Sequence, residues 1–338
     1  MVNNCIDINS FPRSSFFIGY LYTLNKYNRL KKRRSNIYRF VLALSMNFFA
    51  TGPVIALHKT SCKDGPAVTS TREEAIAFID KIKILTPSAS WSNIKPALFL
   101  ENLRSNIHDP LGIYPGRSTN FCGYGALTYL MLQDDPLGYA KLLLQLYNDG
   151  KATFGRVTFD PSPEVKKAAG TLRFKGILDI HPAEQMWFLS LADHFKGYLN
   201  FFNRKYDPGD EDSFWASVNY AKFNNMVRKL LNYKVHAKGS DLIRPYTNGL
   251  YDYISEKLKT GIVVLYINNR ILHKKKLEKI KLAVPTHFVV LQEISKADDV
   301  VTLVYWDYGG RTLIQLSPHF LQKIVFGVSY CTKKEAND

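Results

Sequence analysis

Cysteine is scarce in this chain, which has only Cys5, Cys62, Cys122 and Cys331 among 338 residues. So few cysteines cannot build a disulfide framework for a chain of this length, and none belongs to a CxxC pair of the kind that holds zinc. Internal repeats are also absent, which excludes a solenoid. No segment interleaves basic and aromatic residues as nucleic-acid-binding surfaces do, so we expect no specific binding of nucleic acid.

Apolar and aromatic residues are abundant, at 46% and 13% of the chain. This composition supplies a large hydrophobic core and argues against global disorder. The formal net charge is +16, and residues 1–62 contribute nine basic residues against one acidic residue. The remaining chain is therefore only mildly basic, which fits either an ordinary solvated surface or a preference for an anionic partner.

The N-terminal segment 1–62 combines a basic stretch, residues 26–39, with an apolar stretch, residues 40–57. This order is typical of an export signal or a membrane anchor, and it would place the rest of the chain outside the cytoplasm. Cleavage after Ala56 is compatible with the small residues there. The alternative is an ordinary buried helix in a cytoplasmic protein. Residues 63–338 are predicted to form one domain.

Helical and strand patterns are segregated along this domain, which predicts an α+β fold. The segment at about 150–245 is predicted to be largely helical, with short strand-like runs and turns at 151–181. The predicted helices cover 70–85, 96–106, 122–132, 136–147, 182–203, 212–233 and 246–259, and the predicted strands cover 262–267, 287–294, 300–306, 312–316 and 325–330.

Three residues carry the predicted chemistry. Cys122 lies where a glycine-rich turn enters an apolar helix, and the unpaired N–H groups and dipole of a helix N-terminus favour the thiolate. His287 opens an apolar strand, and Asp307 follows the next strand. A nucleophile, a base and an acidic residue that orients the base are the components of a Cys-His-Asp triad.

Each of these residues also has a structural interpretation. Cysteine is often a small buried hydrophobe, and an aspartate at a strand end often prepares a turn. His319 is a competing base, although Ser317-Pro318 predicts that it lies in the first turn of a helix. His181 and Glu184 have the i,i+3 spacing of metal ligands but lack a third ligand, so we expect no metal site and no cofactor.

The order of these motifs resembles the papain-like cysteine peptidase superfamily. The similarity is greatest to the bacterial branch that processes double-glycine leader peptides of bacteriocins. It rests on Cys122-Gly123 with Ala126-Leu127, on the strand 287–291, and on the C-terminal pattern from Asp307-Tyr308-Gly309-Gly310 to Phe326-Gly327. It covers about 115–148 and 246–331. The resemblance implies a nucleophile on a central helix packed against a C-terminal antiparallel sheet, with 150–245 inserted.

One departure from the family concerns the oxyanion hole. The family usually has a glutamine about six residues before the nucleophile, where this chain has Gly116. Asn120 is the nearest amide side chain and is therefore our candidate for the second donor, beside the backbone N–H of Cys122. The family's usual Asp-Pro is also replaced, by Asp307-Tyr308.

These observations predict a cysteine-dependent hydrolase that cleaves an amide bond through a thioester. The expected substrate is a peptide, a protein or a cell-wall peptide, with membrane association through the N-terminus. Two alternatives remain open at this stage. One is a peptidoglycan amidase or an acyl or peptidyl transferase of the same fold. The other is a catalytically inactive binding module at the cell surface, which the missing glutamine would favour.

Overall fold

The computed structural model describes residues 68–83, 85–196, 205–269 and 286–334. The predicted N-terminal export signal or anchor lies outside these residues. None of the helices in the described ranges is long and apolar enough to cross a bilayer. The helices there are α1 (Arg72–Asp80), α2 (Pro96–His108), α3 (Cys122–Asp134), α4 (Pro136–Asp149), α5 (Pro163–Ala168), α6 (Pro182–Phe195), α7 (Tyr220–Leu230), α8 (Leu250–Leu258) and α9 (Pro318–Ile324).

Eight strands accompany these helices in the described part of the chain, so the fold is α+β, as predicted. Strands β1 and β2 form a small hairpin, and the other six form one antiparallel sheet in the order β3-β8-β4-β5-β6-β7. The strands are β1 (Ala152–Phe154), β2 (Val157–Phe159), β3 (Tyr233–Gly239), β4 (Ile262–Ile267), β5 (His287–Ala297), β6 (Val300–Asp307), β7 (Gly310–Leu316) and β8 (Val325–Lys333).

Local sequence signals start several of the helices. Asp135 caps α4 by accepting a hydrogen bond from the Gly138 N–H, and a proline occupies the first helical position. Ser317 caps α9 in the same way, as the sequence predicted. Ser70 and Glu73 have the sequence spacing of a capping box, but the box of helix α1 uses Thr71 and Glu74, one residue later. The Ser70 hydroxyl instead donates a hydrogen bond to Asp135, 2.5 Å away.

The large sheet is covered by apolar side chains on both faces. Alternating residues of β4 and β5 point to opposite sides, as the period of a strand requires. Tyr266, Phe288 and Val290 pack with the core around α3, whereas Leu265 and Val289 pack with the core that contains α8 and α9. The sheet thus separates two helical layers, and α3 lies on the larger side.

The prediction of a largely helical segment at 150–245 missed strand β3. This stretch contains α5, α6 and α7, but it also contains all of β1, β2 and β3. Strand β3 pairs with β8 and belongs to the main sheet. The predicted helix 212–233 was also too long, because residues 213–219 are irregular and β3 begins at Tyr233. The sheet is consequently not confined to the C-terminal part of the chain.

Candidate active site

Several strands bring their ends to one end of the sheet, and this end carries the candidate site. In β4, Ile267 is paired with both His287 and Val325, so the start of β5 lies beside the end of β4. Asp307, the last residue of β6, is paired with Gly310 at the start of β7. The antiparallel pairing therefore places His287 and Asp307 at neighbouring strand ends, although 19 residues separate them in the chain.

Cys122 is the first residue of α3, with Phe121 as its N-cap. Its Sγ is 3.7 Å from the carbonyl oxygen of Thr286, the residue before His287. The helix can approach the sheet because Gly123 has no side chain: a Cβ there would lie 3.2 Å from Val218 Cβ and 3.3 Å from the Phe288 ring. Gly123 thus has a packing function.

His287 connects the other two residues. Its Nε2 is 2.5 Å from Asp307 Oδ1, and the His287 side chain is 1% exposed. Its Nδ1 is buried and forms no hydrogen bond to a described residue. Because Nε2 is engaged by Asp307, Nδ1 is the ring nitrogen that remains for the Cys122 thiol, whose Sγ lies 3.7 Å from the carbonyl oxygen of the preceding residue, Thr286.

The charges around His287 favour its protonated form. Burial alone would lower the pKa of this histidine, but the hydrogen bond to Asp307 and the contact with Cys122 outweigh burial and raise its pKa to about 9. At neutral pH the group beside the sulfur is therefore an imidazolium. The Cys122 sulfur therefore has a cationic neighbour.

Neighbouring aromatic residues hold Asp307 in place. The Trp306 indole donates a hydrogen bond from Nε1 to the Leu111 carbonyl, 3.2 Å away, and stacks on Tyr129 of α3 at 5.3 Å. Tyr308 and Gly309 then form the two-residue turn from β6 to β7, with φ angles of 41° and 79°. Positive φ angles at both positions are characteristic of the tight turn that suits a β-hairpin.

Asn120 is tied to residues far away in the sequence. Its backbone N–H donates to the Glu211 carbonyl at 2.7 Å, and its Nδ2 donates to the Ser213 carbonyl at 3.0 Å. The second N–H of this amide donates to no described residue. These two bonds fix the orientation of the side chain two residues before Cys122. Its assignment to the oxyanion hole stays a prediction.

The competing candidates lie elsewhere. His319 is exposed in the first turn of α9, on the opposite side of the sheet from Cys122. His181 Nδ1 is 3.1 Å from Glu184 Oε1, and the two form a pair. In the ranges that the structure describes, no group of three histidine, cysteine or acidic residues could hold a metal ion.

A cavity of about 940 Å³ lies at the other end of α3, where Asp134, Arg228 and Lys229 line it. Helix α3 has 13 residues, so its two ends are about 18 Å apart. This cavity is therefore far from Cys122. It does not belong to the candidate site, despite its volume.

No family model, no curated protein and no solved structure matches this chain. The candidate site thus rests on the residues themselves. Sequence reasoning missed the carbonyl groups of Thr286, Glu211 and Ser213 as neighbours of the site. No side-chain pattern could have indicated them, because every residue except proline offers the same backbone groups.

Proposed function

We propose that this protein is a cysteine-dependent hydrolase that cleaves an amide bond through a thioester intermediate. The observation that carries the proposal is the position of Cys122 at a helix N-terminus, with its Sγ 3.7 Å from the carbonyl oxygen of Thr286, beside the buried His287, whose Nε2 is 2.5 Å from Asp307 Oδ1. We further infer a papain-like arrangement, supported by the packing of the nucleophile's helix on an antiparallel sheet whose neighbouring strand ends carry His287 and Asp307.

The proposed reaction has two halves. In the first, the Cys122 thiolate attacks the carbonyl carbon, and the His287 imidazolium gives its proton to the departing amine. In the second, neutral His287 takes a proton from water, and the resulting hydroxide attacks the thioester. The acid is released, the sulfur leaves as thiolate, and His287 keeps the proton that it took from water. Asp307 keeps the ring oriented with Nδ1 toward sulfur.

Two donors are assigned to the oxyanion that forms in each half. The backbone N–H of Cys122 belongs to the first turn of α3, where N–H groups have no partner within the helix. The Asn120 amide is the second donor, because its bond to the Ser213 carbonyl leaves one N–H and fixes the group. Cofactors and metals have no part in this scheme.

The thioester is the intermediate to capture. The full chain would be incubated with a mixture of peptides and with cell-wall peptides, quenched in acid and analysed by intact-mass and peptide mass spectrometry. We expect an acyl adduct on Cys122 and new peptide termini, both absent from Cys122→Ala. Turnover that survives in Cys122→Ala would overturn the proposal.

The same geometry also serves a transferase, since an amine can replace water in the second half. Adding a primary amine such as glycinamide separates the two chemistries. Faster disappearance of the acyl adduct, with the acylated amine replacing the free acid as the main product at low amine concentration, would identify a transferase. Complete inertness of Cys122 would instead favour a binding module.

A further inference from the structure

The loop that follows β3, residues 240–246, carries a cluster of exposed apolar side chains, and we call it the apolar loop. Leu242, Ile243 and Tyr246 are 79%, 72% and 91% exposed. No other large apolar side chain in the described ranges is as exposed as any of these three. A single exposed apolar residue needs no explanation, but three within five residues form a patch that marks an interaction surface.

Hydrogen bonds fix the backbone of the apolar loop. The Ser240 N–H donates to the carbonyls of Phe326 and Ile243, at 3.1 and 2.8 Å. The Ser240 hydroxyl accepts a hydrogen bond from the Ile243 N–H at 2.9 Å. Beyond the aliphatic residues, Arg244 Nε donates to the carbonyl of Lys323 at 3.1 Å. The loop is thus tied to β8 and α9 on either side of its exposed aliphatic side chains, which are held in solvent by a defined turn.

Basic side chains flank the apolar loop. Lys238 precedes it, Arg244 belongs to it, and Lys323 adjoins it through the bond to Arg244. None of these three forms an ion pair with a carboxylate in the described part of the chain. The loop has one carboxylate, Asp241, which accepts a hydrogen bond from the Tyr220 N–H at 3.1 Å. Because Tyr220 begins α7, the positive end of the helix dipole offsets that charge, and the surroundings of the loop are basic.

The strand pairing places the apolar loop at the same end of the sheet as the candidate active site. Gly239, the last residue of β3, is paired with Gly327 of β8. Gly327 is paired with Tyr266 of β4, and Tyr266 with Phe288 of β5. Neighbouring strands are about 4.8 Å apart, so Gly239 lies about 14 Å across the sheet from the residue that follows His287.

A bilayer with anionic headgroups fits these features better than a protein partner does. Leu242 and Ile243 protrude, so a protein would need a complementary pocket for them, whereas fluid acyl chains adapt to a protruding side chain. Tyrosine is enriched where a bilayer meets water. Basic side chains beside an apolar segment are attracted to anionic headgroups. The apolar loop supplies all three elements within seven residues and their immediate neighbours.

We propose that the apolar loop binds an anionic membrane surface, with Leu242 and Ile243 among the acyl chains and Tyr246 at the headgroups. The strength of such a contact depends on the apolar area that it buries and on the attraction to anionic lipid. It is separate from the predicted anchor in residues 1–62. The end of the sheet that carries His287 faces the bilayer in this arrangement, so the inference goes beyond the proposed function by giving the candidate site an orientation.

An added tryptophan tests this contact on the full chain. Ile243→Trp introduces an exposed indole, whereas the four native tryptophans are at most 7% exposed: Trp91, Trp187, Trp215 and Trp306. On vesicles of phosphatidylcholine with phosphatidylglycerol, its emission should shift to shorter wavelength and be quenched by brominated acyl chains. Leu313→Trp is the matched control, because Leu313 is 62% exposed on β7, at the opposite edge of the sheet from β3. Its emission should stay that of an indole in water.

The charge dependence is tested with the same indole. On vesicles of phosphatidylcholine alone, Ile243→Trp should lose most of the shift. Adding Lys238→Gln and Lys323→Gln to Ile243→Trp should cause a similar loss on the anionic vesicles, because each basic residue near the surface contributes to the attraction. Salt should weaken the contact in the same direction.

An aqueous emission from Ile243→Trp on anionic vesicles would overturn the inference, even if residues 1–62 hold the chain on the vesicles. An equal shift in Leu313→Trp, or a shift without quenching by brominated chains, would also overturn it, since neither is specific contact of the loop with acyl chains. A full shift on phosphatidylcholine alone would overturn the assignment to an anionic surface. None of these readouts uses Cys122, so the inference and the proposed function stand or fall separately.

Discussion

The Tyr308 ring lies parallel to the His287 imidazole, with centroids 4.5 Å apart and 10° between the planes. Tyr308 adopts a φ of 41° in the turn after β6, a conformation that disfavours a bulky residue. The phenol therefore covers one face of the imidazole at a cost in backbone strain. A cover of this kind keeps water from the bond between His287 and Asp307, and low local polarity strengthens that bond.

Removing this cover is our first prediction. Tyr308→Ala should lower kcat/KM by about tenfold, equivalent to about 1.4 kcal/mol of transition-state stabilisation. Tyr308→Phe retains the ring and should retain activity, because the stacked face and not the hydroxyl is used. Steady-state kinetics of both variants would check this. Equal losses in the two variants would assign the effect to the hydroxyl.

The pKa of His287 predicts the alkaline limit of activity. Because that pKa is raised to about 9, the imidazolium that protonates the leaving amine is present at neutral pH and is lost as the pH rises through about 9. We expect kcat/KM to fall above that pH. Asp307→Asn removes the carboxylate that favours the charged ring, so kcat/KM should begin to fall about one pH unit or more lower than in the wild type.

A pH–rate profile of the two proteins between pH 5 and 10 measures this shift. Asp299→Asn is the matched control, because this carboxylate lies in the turn between β5 and β6, at the far end of both strands. If kcat/KM fell at the same alkaline pH in wild type and Asp307→Asn, the titrating group would not be His287.

Thiol reactivity provides the third prediction. Cys122 is partly exposed and lies beside the protonated His287, whereas Cys331 is 1% exposed and burial raises its pKa to about 12. Iodoacetamide at pH 6 should therefore label Cys122 much faster than Cys331. His287→Ala removes the neighbouring positive charge and should slow the labelling of Cys122 by about tenfold or more. Labelling at equal rates would remove the support for an activated nucleophile.

The oxyanion hole gives the fourth prediction. Asn120→Ala should lower kcat by about 10²–10³, the typical cost of losing one such donor. Asn120→Asp preserves the shape but loses the Nδ2 donor, so it should be at least as impaired. Alkylation of Cys122 should be unaffected in Asn120→Ala, which distinguishes a lost donor from a displaced helix. Full activity in Asn120→Ala would assign the second donor to another group.

The fifth prediction concerns stability. A Cβ at Gly327 would lie 2.6 Å from Tyr220 Cζ, and the Tyr220 ring cannot retreat because it stacks on Tyr266 and bonds to Lys238 and Ser329. Gly327→Ala should therefore lower the free energy of unfolding by about 1–3 kcal/mol. Gly310→Ala is the control, since no atom comes closer than 3.9 Å to a Cβ there. Urea titration of both variants measures the difference.

Local signals explain why much of the fold was predictable. Strand β4 has the predicted bounds, Ile262–Ile267, because a continuous apolar run follows a glycine. Helix α3 begins at Cys122 as predicted, because a glycine-rich turn leads into an apolar segment. The proximity of Cys122 to His287 could be anticipated only through resemblance, since Cys122 and Thr286, the residue before that histidine, are 164 positions apart in the chain.

Long-range contacts explain the failures. Strand β3 reads Tyr-Lys-Val-His-Ala-Lys-Gly, and four consecutive residues near its end are exposed, so its own sequence carries a weak strand signal. Pairing with β8 decides its conformation. Ser70 was a reasonable cap for α1, but its hydroxyl binds Asp135 across 65 residues. In both places a tertiary contact overrides the local preference.

Strand β3 makes residues 150–245 inseparable from the rest of the domain. It covers β8 along seven paired positions, from Tyr233 with Lys333 to Gly239 with Gly327. Deleting 150–245 would strip β8 of that neighbour and leave its unpaired N–H and C=O groups as a template for other chains. A shortened protein would therefore aggregate through β8. Residues 150–245 cannot be deleted or moved to another protein as an independent unit.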